Sequence, residues 1–395
     1  MPALTGMRVL DATQYEAGPS ATQALAWLGA DVVKVERPGT GDPGRGGGLG
    51  TNTAYFLNWN SNKRSVTLAL ETPEGRDLLL RMAPHYDVFV ENYAPGVVEK
   101  LDIGYDVFQR ANPGIIYAQV KGFGLDGPYS KYKCYDMVAQ AAAGAFSITG
   151  YGDGPPTRPG PTLADSGTGV QLALAITAAY IQKLRTGEGQ HIELSMQEAV
   201  TYYMRTMVAN GSDWGRQATP RTGNGLGAMM NLYPCKPFGA NDYVYLMLVT
   251  RPMWQTLCKA IGRADLIEDP RYASGKARRE NGDALYEEIA RWTRDRTKHE
   301  AMRELGEAGV PCSAVLDTRD LFDDPHLSER GFVHHVDHAD QGTVPLLGFA
   351  PRLSKSDVPI QPSPLLGEHT EAVLADDLGL SEEELAALRE RGALG

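Results

Sequence analysis

The stretch Met7–Glu36, MRVLDATQYEAGPSATQALAWLGADVVKVE, decides the fold. "MRVLDAT" and "DVVKVE" are short β-rich runs, and between them Ser20–Leu28 spaces its apolar side chains as a helix does. This is a βαβ opening. "RSVTLAL", "DVFVENY", "GIIYAQVKGF" and "QHIELSM" continue it as further strands. "TPEGRDLLLRMAP" reads as a helix, with Thr72 as N-cap, Pro73 in first position and Glu74 early. Such alternation predicts an α/β chain: a mainly parallel sheet with helices on both faces. After about Ala199 the rhythm changes, and "ANGSDWGRQATPRTGNGLGAMMN" reads as a linker. "YPCKPFGANDYVYLMLV" then looks like two strands around a turn, two or three helices follow to about Leu305, and "VPCSAVLDT" comes next. "SEEELAALRERG" is a capped amphipathic helix. The expected division is a large domain over 1–198, a linker over 199–230, a smaller α+β domain over 231–323, and a return linker with the C-terminal part of the large domain over 324–395.

Composition narrows the function classes. A chain of 395 residues, 42% hydrophobic and 22% charged, is globular and long enough for two domains. Its 38 Lys and Arg against 49 Asp and Glu leave a net charge of −11, which argues against nucleic acid or an anionic membrane as main partner. A small anionic ligand would need a local basic pocket. Cys134, Cys235, Cys258 and Cys312 form no CxxC pair, so neither a disulfide framework nor a zinc site is expected, and a reducing cytoplasm fits best. The N-terminus has no signal-peptide pattern, and no apolar run approaches about 18 residues, so neither export nor membrane spanning is expected.

Several candidate chemistries are weak. A formal GxGxxG, Gly39–Gly44, follows the second strand and leads into "RGGGLG" rather than a helix, so it reads as a surface loop or lid and not as a dinucleotide fingerprint. Glu36 imitates the ribose-binding acid of that fold, but the first turn lacks the glycines. His334, His335 and His338 have no second cluster to make a metal site and read as a solvated loop. Ser166 and Ser195 have no assigned base. Asp165, in "PTLADSGTGVQLALAITAAYIQKLRTGEGQ", remains. It precedes a helix marked by Val170, Ala173, Leu174, Thr177, Ala178 and Ile181 and stopped by Gly187 and Gly189, where a carboxylate either caps the helix or does chemistry.

Taken together, "ATQYEAGPSATQALAWLGADVVKVERPGTGDPGR", "NKRSVTLALETPEGRDLL", "DVFVENYAPGVVEKLDIGY", "KGFGLDGPY", "ADSGTG" with "LRTGEGQHIELSMQEA", and "PLLGEHTEAVL" closely resemble the class III CoA-transferases, the formyl-CoA transferase and carnitine CoA-transferase family. The likeness spans nearly the whole chain. It implies a Rossmann-like large domain and a smaller domain in an interlocked, ring-shaped homodimer. It also implies transfer of CoA from an acyl-CoA to a free carboxylic acid, with CoA as substrate and no tightly bound cofactor. Asp165 matches the covalent nucleophile, and the helix terminus would favour its ionised form. Glu16 matches an active-site position that is Gln in the formyl-CoA enzyme. Tyr15 and Ala17 should line the CoA path, Arg37 matches the residue over adenine and phosphates, and Asn92 and Tyr93 match the pair bordering the pantetheine arm. Lys100 stands where the formyl enzyme has Arg, and Lys133 and Tyr135 match its Lys and Tyr.

Two departures bear on substrate. Same-fold acyl-CoA racemases carry His before Asp where this chain has Tyr135 in "YDMVAQ", which removes the racemising base. The formyl enzyme closes a glycine tetrad over its Asp, whereas here "RTGNGLGAMMN" offers only Gly223, Gly225 and Gly227, so oxalate is not assumed as acceptor. A same-fold racemase or epimerase and a non-catalytic CoA-binding subunit of a heteromeric transferase are the alternatives.

Overall fold

The computed structural model describes residues 1–46 and 52–395. The second half of the Gly-rich stretch, read above as a loop or lid, lies outside them. Six strands, β1 (Arg8–Ala12), β2 (Asp31–Glu36), β3 (Arg64–Thr67), β4 (Val88–Glu91), β5 (Ile116–Lys121) and β6 (Gln190–Ser195), form one sheet in the order β3-β2-β1-β4-β5-β6. Every pairing in it is parallel. β4 and β5 are buried throughout, as strands covered by helices on both faces must be. The chain is thus α/β with a Rossmann-like sheet.

Helices form where the sequence signals stand, with two instructive differences. Thr72 caps Pro73–Met82 by accepting from Gly75 N, and Ser381 closes a capping box on Glu382–Glu390. The first helix, however, is Ala17–Trp27. It begins earlier than Ser20 because Pro19 is tolerated in a first turn, where its missing N–H costs nothing. Helix Ser166–Thr186 also buries a different face from the one its large residues mark. Leu172, Ala173, Ile176 and Ala179 pack inward, whereas Val170 and Leu174 are 61% and 71% exposed and Ile181 is exposed with them. The small residues decide this. A Cβ on Gly169 would lie 2.1 Å from Ser20 Oγ and 3.0 Å from the Ala17 carbonyl oxygen, so this face can approach helix Ala17–Trp27 closely and the bulky one cannot.

The chain divides into two compact units: 1–146, 158–218 and 330–395, and 147–157 with 219–329. Order continues past Ala199 in the first unit, where helix Met196–Tyr203 is capped by the Ser195 hydroxyl accepting from Glu198 N. Its core joins Leu10, Val33, Val66, Leu79, Phe89 and Tyr117 to Val373, Leu374, Leu385 and Leu388 of the C-terminal helices. The second unit has an antiparallel sheet of β7 (Met230–Pro234), β8 (Tyr243–Met247) and β9 (Cys312–Ala314), and its core is built on Tyr233, Trp254, Leu257, Leu285 and Ile289. Four α-helices and one short 3-10 helix, Ala264–Ile267, lie between β8 and β9, not two or three helices. Asn281, donating to the carbonyls of Arg271 and Ala277, separates Gly275–Glu280 from Gly282–Thr293. The HHVDH segment is not a solvated loop: it is β10 (Val333–His338), paired antiparallel with β11 (Gly342–Leu347). Alternation places His338 in the interior, 4% exposed.

Candidate active site

The sheet order reverses between β1 and β4, and in open parallel sheets that switch point opens a crevice beyond the carboxyl ends of the strands. A cleft of about 220 Å³ lies there. Gln14, Tyr15 and Ala17 enter it from the turn after β1, Asn92–Pro95 from the loop after β4, Lys121 and Gly122 from the end of β5, and Asp165 from the start of its helix. Tyr132, Lys133, Cys134 and Tyr135 complete one wall. The rings of Tyr15 and Tyr135 meet edge to face at 6.0 Å.

Asp165 does not cap its helix. Its φ of −86° and ψ of −74° are helical rather than extended, and its side chain accepts no amide of the first turn. The Oδ1 of Asp136 accepts from the two amides just before the helix, Ala164 N at 2.8 Å and Asp165 N at 3.1 Å. The Asp165 carboxylate is therefore left to the cleft. Burial pushes its pKa up to about 7, with Glu16 and then Asp136 adding like-charge repulsion. This reverses the expectation that the helix terminus would favour the ionised form, because desolvation and two neighbouring acids outweigh the terminal dipole.

Glu16, 2% exposed, accepts from the Thr162 hydroxyl through Oε1 at 2.5 Å and also hydrogen-bonds Tyr55. Burial raises its pKa, and Asp136 adds to the rise. The Tyr55 hydroxyl is likewise held protonated by burial and by Glu16 and Asp165. Burial and Asp165 push the Cys134 thiol up to about 11, so it stays a thiol at neutral pH.

Asp165, Tyr15, Ala17, Asn92, Tyr93, Lys133 and Tyr135 share the cleft, with Glu16 buried beside it. Arg37 lines an adjoining hollow of about 120 Å³, which has Gln14 and Tyr93 in common with the cleft, and there it pairs with Glu71 at 3.0 Å. Lys100, exposed on helix Val97–Leu101, lines neither. Asp136, Tyr55, Thr162 and Gln14 went unnoticed in the sequence. Asp136 carries a signal, an acid opening helix Asp136–Ala142 just after Tyr135, whereas the others reach the site only by long-range folding. Among the described residues no group of His, Cys, Asp or Glu could hold a metal ion, and no helix is long and apolar enough to cross a membrane.

A nucleotide-type crevice with an uncommitted acid at its wall defines an α/β enzyme that handles a small ligand at its strand ends. Residues 4–370 match CoA-transferase family III, and the chain belongs to that family. It is 39% identical to the formyl-CoA:oxalate CoA-transferase of Streptomyces coelicolor over 411 aligned residues, 99% of each chain. The enzyme of that name from Streptomyces avermitilis is 40% identical, also over 99% of each. Among solved structures, a CAIB/BAIF family protein from Brucella suis superposes with a TM-score of 0.85 at 31% identity, covering 95% of this chain and 99% of its own. A Mycobacterium tuberculosis protein superposes at 0.81 with 30% identity, covering 94% and 99%. The protein is a CoA-transferase.

Proposed function

We propose that this enzyme moves CoA from an acyl-CoA to a free carboxylic acid through covalent attachment at Asp165. The observation that carries this reading is the Asp165 carboxylate itself, free of capping duty, facing the cleft and titrating near neutrality. Ionised Asp165 attacks the thioester carbonyl; the C–S bond breaks, giving a mixed anhydride and CoA thiolate. The thiolate attacks the aspartyl carbonyl and releases the first acid as its carboxylate, leaving an aspartyl-CoA thioester. The incoming carboxylate attacks that thioester and frees the thiolate again, and thiolate attack on the new acyl carbon yields the product acyl-CoA and regenerates Asp165. Electron pairs balance at each step, no net proton is transferred, and thioester energy is conserved without ATP.

Tyr15, Ala17, Asn92, Tyr93 and Tyr135 would flank the pantetheine arm, with Lys133 and Arg37 meeting the phosphates of CoA; in a chain of net charge −11 these local cations count. The relatives named for formyl-CoA and oxalate suggest small acids, but the buried carboxylate of Glu16 beside the nucleophile makes this acyl pocket its own, and a different acceptor is proposed. The exposed apolar residues Val170, Leu174, Ile181 and Leu184 of the nucleophile's helix support a homodimer, interlocked as the resemblance implies. Turnover by the purified chain with acyl-CoA and acid pairs tests the reading. Asp165→Asn should bind CoA but lose several orders of magnitude in rate. Solvent deuterium appearing at the α-carbon would point to a racemase instead.

A further inference from the structure

The turn that carries Tyr15 and Glu16 is irregular backbone, yet side chains from other elements hold it at Thr13, Gln14 and Tyr15. Thr13 N donates to Asp11 Oδ1 at 2.9 Å, and the Thr13 carbonyl accepts from Lys34 Nζ at 2.7 Å. Asn92 accepts from Gln14 N and donates to the Gln14 carbonyl, both at 2.8 Å. Tyr15 N donates to Asp42 Oδ1 at 3.0 Å, and the same oxygen takes Gly44 N at 2.7 Å. The other Asp42 oxygen faces Lys34 Nζ at 2.8 Å in an ion pair that is fully enclosed. Asp42 is anchored in turn, its own N–H donating to Glu36 Oε2, which also binds Arg45.

Such burial of charge needs a return, since an enclosed ion pair by itself contributes little to stability. The backbone at Tyr15 shows where it goes. Tyr15 has φ +63°, a left-handed conformation unfavourable for a bulky aromatic residue. An ordinary turn would relax, and relaxation here would swing Glu16 away from Thr162 and Asp165.

We propose that Asp42, fixed by Lys34, is a positioning residue for the transfer reaction: it locks Tyr15 in the left-handed conformation and so holds Glu16 against the nucleophile. This inference rests on Asp165 being the nucleophile, which trapping in the wild-type protein tests separately.

Two double variants isolate the contact. Asp42→Asn with Lys34→Met keeps an acceptor oxygen for Tyr15 N, while Asp42→Ala with Lys34→Met removes it, and neither leaves a buried charge alone. With wild-type Asp165 modified, the single-turnover rate of that modification should be at least about tenfold lower in the Ala pair than in the Asn pair, with acyl-CoA KM and melting temperature matched. Adding Tyr15→Gly to both should shrink the gap, because glycine accepts the left-handed conformation unaided. Equal rates in the first comparison, or a gap untouched by Tyr15→Gly, would overturn the proposal. Should either pair fail to fold, amide exchange in the wild type decides: protection of Tyr15 N–H supports the lock, and exchange at the free-peptide rate refutes it.

Discussion

Replacing Asp165 by Asn should stabilise the protein, and only above a definite pH. Folding raises this carboxyl from 3.8 to about 7, so the native state holds its proton where the unfolded chain has lost it. Well below pH 3.8 both states are protonated and the group costs nothing. As pH climbs toward 7 the unfolded state alone ionises, and stability falls; above 7 the full cost is present. About 3 units at ~1.36 kcal/mol each set a ceiling of ~4 kcal/mol. Asp165 is only half-buried and opens on a wet cleft, so roughly 2 kcal/mol is the sounder figure, worth a few degrees in Tm for a chain of this size. Asn carries no charge and gives up no capping bond, because Asp165 makes none. Thermal melts of both proteins at pH 8.5 and pH 4.5 are the assay. A gain at pH 8.5 that shrinks at pH 4.5, where the unfolded carboxyl is only partly protonated, is expected; an Asn variant equal or less stable at pH 8.5 would refute the reasoning.

The rate of acyl transfer should rise with pH through about 7, since the ionised carboxylate is the nucleophile, and Glu16→Gln should move this limb to lower pH by removing the larger of the two neighbouring charges; a pH profile of kcat/KM checks both. Gly169→Ala should cost about 1–3 kcal/mol and reduce turnover, because a methyl 2.1 Å from Ser20 Oγ forces apart the helices that set Asp165 beside Glu16; urea melts and activity read this together. Lys133→Ala should raise acyl-CoA KM by the equivalent of about 1.5–3 kcal/mol while leaving the Tm unchanged, and Arg37→Ala, whose partner Glu71 already competes, should raise it less. Sedimentation at nanomolar concentration should show dimers, and folded monomers there would remove the interlocked assembly.

The parallel sheet was legible because its strands are short, buried and separated by capped helices, signals that a single sequence carries locally. Asp165 was legible as the residue of interest, but its state was not. Its backbone is held by Asp136, a residue of an earlier helix that accepts from its N–H, and its pKa depends on Glu16, held there by Thr162 from far along the chain. The same limit explains the face of helix Ser166–Thr186: spacing marks which residues are apolar, whereas the close approach at Gly169 determines which side goes in. Lys100 shows the converse, since a position can match a family pattern and still stand outside the cleft of the single chain.

Trapping tests the central claim most directly. Wild-type protein incubated with acyl-CoA and quenched with hydroxylamine should carry a hydroxamate at Asp165, located by peptide mass mapping, because an anhydride or aspartyl thioester is electrophilic at that carbonyl. The label should require acyl-CoA and be absent from Asp165→Asn. An unlabelled Asp165 in protein that turns over, or near-normal turnover by Asp165→Asn with deamidation excluded, would contradict the account.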